Sequence, residues 1–289
     1  MIGALPSVLN DPAVASFYYG LKSYIDEDRL DIPVLPQSAG RVMRLLRQPD
    51  TDATALATII HLDQGLAAAV LRVSNSPVYR GVYEIQSLRQ AIARLGVSSL
   101  GKVVLSVSMG NEVFNAPGFN KAIQVVWRYS LAAGEFSQRF SRKARADIEE
   151  TYLCGLLHSV GKPVVLKGIA TLQEELKMKI SSEALGLLVQ DFHKKVGKKV
   201  AIEWGLPDFV QDACMFYEKE EDVLEMGPVM KVTHLAHRFA SFLFHPTQEG
   251  WNSLAASPVA EQLGFDEAFM TEMREQLPQI VELVKSFGG

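Results

Sequence analysis

Apolar residues recur at helical spacing along most of the chain, and the alternation typical of strands is almost absent. In the first third, this pattern predicts three successive helices. One runs from Pro36 and ends before Pro49, one opens at Asp52, and one over residues 65–73 is apolar on most sides. Asn75-Ser76-Pro77 is expected to end the third, because the residue before a proline is pushed out of helical geometry. The pattern therefore predicts an all-α protein.

Three short motifs indicate further helix starts. Ser87–Gln90, Asp147–Glu150 and Thr171–Glu174 each place a capping side chain three residues before a Glu or Gln, the spacing of a capping box. Gly96 is expected to close the helix that begins near Ser87, and another helix is predicted over residues 99–113.

The second half of the chain is also predicted to be helical, with Pro207 as the first residue of one helix and Pro278 as a bend in the last. The other helices are expected over residues 121–142, 148–157, 182–192, 194–204, 229–244 and 266–284. Asn115-Ala116-Pro117-Gly118 is the clearest domain boundary. These signals predict an N-terminal helical extension over 1–30, a helical module over 31–116, a helical bundle over 117–245 and a C-terminal helical extension over 246–289.

Composition narrows the class of protein. The chain has 289 residues, of which 48% are hydrophobic, and a net charge of −4, so a folded core is expected and disorder is not. The slightly negative net charge also argues against nucleic-acid binding. The lysines between Lys177 and Lys199, Lys194 among them, are interleaved with acidic residues and are interpreted as a solvated helix face.

Location is predicted from what the sequence lacks. The first residues carry no basic region followed by an apolar run, and no uncharged apolar stretch reaches the ~18 residues of a membrane span. Cys154 and Cys214 lie in apolar surroundings outside any Cys-x-x-Cys pair, so they are expected to be buried free thiols. We therefore expect a soluble, cytoplasmic protein.

The most informative string runs from Leu153 to Lys162. An apolar helix ends there and delivers His158 into a turn that Gly161 closes. A histidine in this position is either a core side chain bonded to a backbone carbonyl or a ligand for a divalent metal. The residue types alone favour the core interpretation.

The same string resembles the His-Asp motif of the HD superfamily of metal-dependent phosphohydrolases, with Ser159 in place of the aspartate. Over roughly residues 30 to 240 the chain is similar to one branch, the HD-related output domain (HDOD) family. In the first half of the chain, the matching motifs are Ile32–Pro36, which contains Leu35 and Pro36; Leu71–Tyr79, which contains Asn75, Ser76 and Tyr79; and Ile85–Ile92, which is followed by Leu95-Gly96. In the second half, they are Trp127–Ser130, His193–Gly197 and Trp204–Pro207.

The resemblance implies where metal ligands would fall. The two kept positions are His158 and His193, whereas Tyr129 and Ser159 replace a histidine and the bridging aspartate. The remaining ligand positions fall near Tyr217 and Glu218 and on His237. Hydrolysis would use a metal ion to polarise the phosphoryl oxygen and to generate hydroxide, and a serine hydroxyl supplies neither the anionic charge nor the bridge.

We therefore expect a bacterial-type pseudoenzyme: an HDOD protein that serves as a non-enzymatic signalling output or scaffold, contacts other signalling proteins and forms a homodimer. No cofactor is expected. One alternative is a residual phosphohydrolase or phosphodiesterase, with a single divalent transition metal on His158, His193 and His237. Another is a nucleotide or cyclic-dinucleotide sensor that uses the former active-site cavity near Lys162.

Overall fold

The computed structural model describes residues 9–46, 53–79, 81–110 and 114–287, and the described parts contain helices and no strand. The all-α prediction is therefore confirmed. Pro49, Asp52 and residues 111–113 lie outside the described residues. The chain divides into two compact units, and each unit is built from segments that are distant in sequence.

The first unit combines residues 9–33 with residues 114–264. Its helices are α1 (Pro12–Asp26), α6 (Asn120–Ala144), α7 (Ile148–Leu157), α8 (Gly161–Leu176), α9 (Ser182–Glu203), α10 (Asp208–Phe216), α11 (Glu220–Val223), α12 (Pro228–Phe244), α13 (Gln248–Ala255) and α14 (Pro258–Gln262).

The N-terminal helix belongs to this unit because its apolar face is buried there. Phe17 and Leu21 of α1 are fully buried against Val165 and Ile169 of α8, and Val196 of α9 joins the same cluster. Each buried side chain of this size stabilises the fold by about 1.5–3 kcal/mol. The contact between α1 and α8 is close, since a methyl group on Gly20 would lie 2.7 Å from Leu172 Cδ2.

Polar contacts fix the last turn of α1 and the chain that follows it. The Trp204 indole N–H donates to the Pro33 carbonyl over 2.8 Å, and the Lys199 ammonium donates to the Ile25 carbonyl over 3.2 Å. The Tyr24 hydroxyl donates to the Glu175 carboxylate over 2.6 Å. Trp204, one of the family-signature residues, thus orients the chain that leaves the first unit.

The second unit combines residues 34–110 with residues 265–287. Its helices are α2 (Gln37–Leu46), α3 (Ala53–His61), α4 (Gln64–Ser74), α5 (Leu88–Gly110), α15 (Glu267–Glu275) and α16 (Leu277–Phe287). Helices α4 and α16 meet at Arg72, whose guanidinium donates to the Ser286 carbonyl over 3.1 Å. The predicted boundary positions, 1–30, 31–116, 117–245 and 246–289, stay predictions.

Two predicted boundary motifs are confirmed in the second unit. Gln90 Oε1 accepts from the Ser87 amide over 3.2 Å, and Ser87 Oγ accepts from the Gln90 amide over 3.3 Å, the reciprocal bonds of a capping box. Gly96 adopts φ 73° and ψ 166° inside α5 and divides it into two helical stretches. In the first unit, Asp147 caps α7 through the amides of Glu149 and Glu150 at 2.9 Å.

Four helix predictions are wrong in detail. Thr171 lies inside α8, where its hydroxyl donates to the Lys167 carbonyl over 3.2 Å and opens no helix. The two helices predicted around residue 193 form one helix, α9, because the backbone stays helical through His193 and no proline interrupts it. Pro207 precedes α10 as its N-cap residue. The C-terminal segment breaks at Gln276, just before Pro278.

Two apolar stretches, Leu88–Ser108 and Ile148–Leu176, are long and apolar enough to cross a bilayer. Their most apolar windows are 56% and 83% buried inside the folded chain, and a turn at residues 158–160 divides the second stretch. Core helices of folded proteins have the same length and composition. The two stretches are therefore weak evidence for a membrane-spanning helix. The expectation that the chain has no such helix stays a prediction.

Candidate functional site

His158 takes its position from two close helix contacts. Gly155 lies against α6, where a methyl group would overlap Ser137 Oγ and lie 2.7 Å from the Ala133 carbonyl oxygen. Gly161 lies against α9, where a methyl group would overlap the His193 carbonyl and lie 2.9 Å from Gly197 Cα. Glycines on both sides of the turn thus let the backbone carry His158 into the core, where it is 2% exposed.

The imidazole of His158 is hydrogen bonded on both sides. Its Nδ1 lies 2.7 Å from the Gly155 carbonyl oxygen, so Nδ1 carries the proton and donates. Its Nε2 therefore accepts, and the donor is Nδ1 of His237 at 3.2 Å. Burial lowers the pKa of His158 to about 3 and that of His237 well below the ordinary value, so both rings are neutral.

His193 points into the same cluster from α9. Its Nδ1 lies 2.9 Å from the Val189 carbonyl oxygen and 3.0 Å from that of Gln190, so Nδ1 donates. Its Nε2 lies 3.0 Å from the Tyr217 hydroxyl and 3.1 Å from Glu218 Oε1. The hydroxyl itself donates to Glu218 Oε1 over 2.9 Å, so His193, Tyr217 and Glu218 form one closed set of polar contacts.

Glu218 is the centre of charge in the cluster. Its Oε2 accepts from the Gln190 amide over 2.8 Å and pairs with the Lys194 ammonium at 3.1 Å, and Lys162 Nζ lies 3.8 Å from Oε1. Burial alone would raise the pKa of Glu218, but the hydrogen bond and charge of His193 and the two ammonium groups outweigh it and lower that pKa. The carboxylate is therefore held ionised.

The ring of Tyr217 fills the centre of this arrangement and is fully buried. Its centroid lies 4.4 Å from that of His158, 4.7 Å from that of His237 and 6.0 Å from that of His193. Burial raises the pKa of the Tyr217 hydroxyl well above its ordinary value, so it is a neutral hydrogen-bonding group. We name His158, His193, His237, Tyr217 and Glu218 the histidine cluster.

The other predicted positions lie in separate contacts. Ser159 shares a 2.8 Å hydrogen bond with Ser130, and both side chains are buried. The Tyr129 ring is half-buried and packs against Phe244 with a centroid distance of 4.6 Å. Trp127 is half-buried on α6, the helix whose Phe136 is fully buried in the core.

The signature residues of the second unit have structural contacts. The Asn75 side chain donates to the Ile85 carbonyl and accepts from the Ile85 amide, both over 2.8 Å. Ser76 is buried, and its carbonyl accepts from the Tyr79 amide over 3.0 Å. Leu35 and Pro36, both half-buried, come directly before α2.

Sequence reasoning missed two members of the site. Lys194 is interpreted from sequence as part of a solvated helix face, but its side chain is 20% exposed and pairs with Glu218. Gln190, four residues earlier, donates to the same carboxylate. The available signal was their spacing from His193, because residues three and four apart share one face of a helix. Cys154 and Cys214 are buried and free, as predicted.

The donor atoms of the cluster do not suit a metal ion. The His158 lone pair is turned toward His237, and His193 Nε2 is turned toward Tyr217 and Glu218. Within the part of the chain that the structure describes, no three His, Cys, Asp or Glu side chains are grouped so that they could hold a metal ion. The metal set of His158, His193 and His237 stays a prediction, and the ring nitrogen atoms of His158 and His193 already have polar partners.

The buried neutral histidines predict that the protein loses stability in mild acid. Their pKa values are lower in the folded state than the unfolded value of about 6.5, so only the unfolded chain takes up protons as the pH falls below 6.5. For His158 alone we expect the free energy of unfolding to fall by about 2 kcal/mol between pH 6.5 and pH 5, measured by urea unfolding. His61→Gln, at an exposed site, should leave this profile unchanged. A flat profile would contradict the prediction.

Comparison with known proteins identifies the class to which this site belongs. The site lies in a helical bundle, with His158 at the end of α7 and with His193 and His237 beside the same Tyr217 ring. A model of the HDOD domain matches residues 32–220, and the chain belongs to the HDOD family. This confirms the family predicted from the motifs.

Solved structures share the fold over nearly the whole chain. An HDOD domain protein with unknown function from Geobacter sulfurreducens is 21% identical, with 95% of this chain and 98% of that chain covered and a TM-score of 0.70. A candidate metal-dependent phosphohydrolase from Shewanella amazonensis is 22% identical, with 95% and 99% covered and a TM-score of 0.68. At this identity the likeness establishes the fold alone.

An uncharacterised protein from Treponema pallidum is 25% identical over 201 residues. The match covers 66% of this chain and only 38% of that relative, so the relative is considerably longer. Its function therefore gives no direct guide to this chain.

Proposed function

We propose that this HDOD protein acts without catalysis, as a signal-transduction output or scaffold of the bacterial cytoplasm that contacts other signalling proteins. The observation that carries the proposal is the burial of Tyr217 between His158, His237 and His193. A phenol ring occupies the space in which ligands of an HD-type site would meet. Ser159, which replaces the bridging carboxylate, is bonded to Ser130.

Charge balance within the cluster supports the same conclusion. A phosphate ester would have to compete with Glu218, which already engages His193, Lys194 and Lys162. Because Glu218 is paired with these groups, they are not free to bind the phosphate of a substrate. The Glu218 carboxylate would also repel the negative charge of that phosphate. The cluster is thus suited to holding α9, α10 and α12 together.

Exposed apolar residues support a role in protein contacts. Val82 is 91% exposed and Tyr83 80% exposed, in the loop between α4 and α5. The loop is held by Asn75, which bonds Ile85, and by the Arg94 guanidinium, which donates to the Tyr83 carbonyl over 2.5 Å. A preordered loop with exposed aromatic and aliphatic side chains is typical of a docking site.

Metal analysis and turnover assays test the absence of catalysis. We expect the purified protein to hold less than stoichiometric iron, manganese or zinc and to show no turnover of nucleotides or cyclic dinucleotides with any of these metals added. His61→Ala serves as the matched control for His158→Ala. Stoichiometric metal, with turnover abolished by His158→Ala and kept by His61→Ala, would establish the phosphohydrolase alternative instead.

Affinity capture from the native host tests the protein-contact role. A Val82→Ser, Tyr83→Ser double variant is expected to lose captured signalling proteins that the native chain retains. Val125→Ser, which changes a half-exposed apolar residue on α6, should keep them. Equal capture by all three proteins would contradict a role for this loop. A second copy of the chain among the captured proteins would favour the homodimer.

A further inference from the structure

A second concentration of basic side chains lies away from the histidine cluster. An open cavity of about 640 Å³ at the surface of the first unit is lined by Lys143, Arg145 and Lys231, of which the first two are exposed, together with the apolar side chains of Ala144, Pro228 and Leu263. Its basic residues come from the end of α6 and the first turn of α12. No acidic residue is among the described residues that line it. The lining therefore combines concentrated positive charge with an apolar wall.

The backbone around the cavity adds to its positive charge. Helix α12 is 17 residues long and begins at Pro228 after Gly227, which has no side chain to cap it. The partial positive charge at the start of such a helix has the same sign as the charge of Lys231, which lies near that start. At the end of α6, Arg145 adopts a left-handed conformation with φ 53°, and its amide donates to the Arg142 carbonyl. The attachment point of the Arg145 side chain is thereby fixed.

We propose that this basic cavity binds the phosphate groups of a small phosphorylated molecule, of which a nucleoside diphosphate is the representative class. Arg145 binds phosphate oxygens through its planar guanidinium, and Lys231 adds a second charge from the helix start. The apolar part of the ligand packs against Leu263 and Pro228. The volume is within the range of about 300–1,000 Å³ typical of small-molecule sites.

The site is independent of the proposed loss of catalysis, because it shares no residue with the histidine cluster. Binding there would give a signalling protein a small-molecule input at α6 and α12, the helices that carry Tyr129 and His237 respectively. The expected chemistry is recognition, with no bond made or broken.

Calorimetric titration of the full chain with ADP and with inorganic pyrophosphate tests the proposal. Both probes should bind, ADP more tightly because it also has an apolar part. Arg145→Asn, which tolerates the left-handed backbone, and Lys231→Gln should each weaken both affinities about tenfold, the loss expected for one charge-assisted hydrogen bond. Lys198→Gln removes one exposed charge from α9 and should leave both affinities unchanged.

Three results would overturn the proposal. The first is no heat of binding for either probe at millimolar concentration. The second is unchanged affinity in the Arg145→Asn, Lys231→Gln double variant, which would locate binding elsewhere. The third is an equal loss in Lys198→Gln, which would show general attraction to positive charge. Circular dichroism of each variant separates a binding defect from a folding defect.

Discussion

Replacing Gly161 by alanine is expected to cost about 3 kcal/mol or more of unfolding free energy. The added methyl group would overlap the His193 carbonyl and lie 2.9 Å from Gly197 Cα. These are backbone atoms inside α9, so no side-chain rotation relieves the overlap, and α8 must move away from α9. Because the same contact positions His158, the shift would also disturb the histidine cluster. Urea unfolding followed by circular dichroism measures the loss.

Gly186→Ala is the matched control in α9. Gly186 is exposed, and nothing lies within 4 Å of the position that its methyl group would take. Alanine in a helix interior is more favourable than glycine by about 0.5–1 kcal/mol, so this variant should gain stability. The same substitution in two helices is therefore expected to have opposite signs. Similar small effects at both positions would contradict the close contact between α8 and α9.

Replacing Glu218 by glutamine is expected to lower the unfolding free energy by about 2 kcal/mol. The carboxylate balances His193 and Lys194, which lie 3.1 Å from it, and Lys162 at 3.8 Å. Removing one member of a buried ion pair costs about 3–5 kcal/mol, and we expect less here because the Glu218 side chain is 16% exposed. Chemical denaturation at pH 7.5 measures the change.

Glu221→Gln controls for the loss of a negative charge. Glu221 is exposed on α11, three residues from Glu218, and its replacement should change stability by less than about 0.5 kcal/mol. If Glu218→Gln were as mild as Glu221→Gln, the carboxylate would not be the centre of charge described above. A gain in stability would indicate that burial of the charge outweighs its pairing.

The helices themselves were largely predictable because their signals are local. The Ser87–Gln90 capping box and the break at Gly96 depend on residues within one or two turns of the chain. The sequence prediction is wrong where a local motif for a helix start lies inside a longer helix. Thr171 has the spacing of a capping box, yet it lies within a helix whose neighbours Ile169 and Leu172 are buried in the core. Packing of that apolar face outweighs a preference of about 1 kcal/mol.

The site was predictable in its members more than in its arrangement. The motif at His158 and its similarity to HD proteins indicate His193, His237, Tyr217 and Glu218 as related positions. Sequence gives no measure of how these side chains face one another. His158 and His237 are 79 residues apart in sequence and His193 and Tyr217 are 24 apart, so packing of separate helices sets their distances.

The sequence by itself determined the all-helical class, the family and the replacement of the aspartate by Ser159, because these are properties of residue type and local spacing. Only the tertiary structure decided that Tyr217 fills the space between three histidines and that Lys194 turns inward to Glu218. Helical periodicity states which residues share a face. It does not show which other helix packs against that face, and this packing decides whether a lysine is solvated or paired.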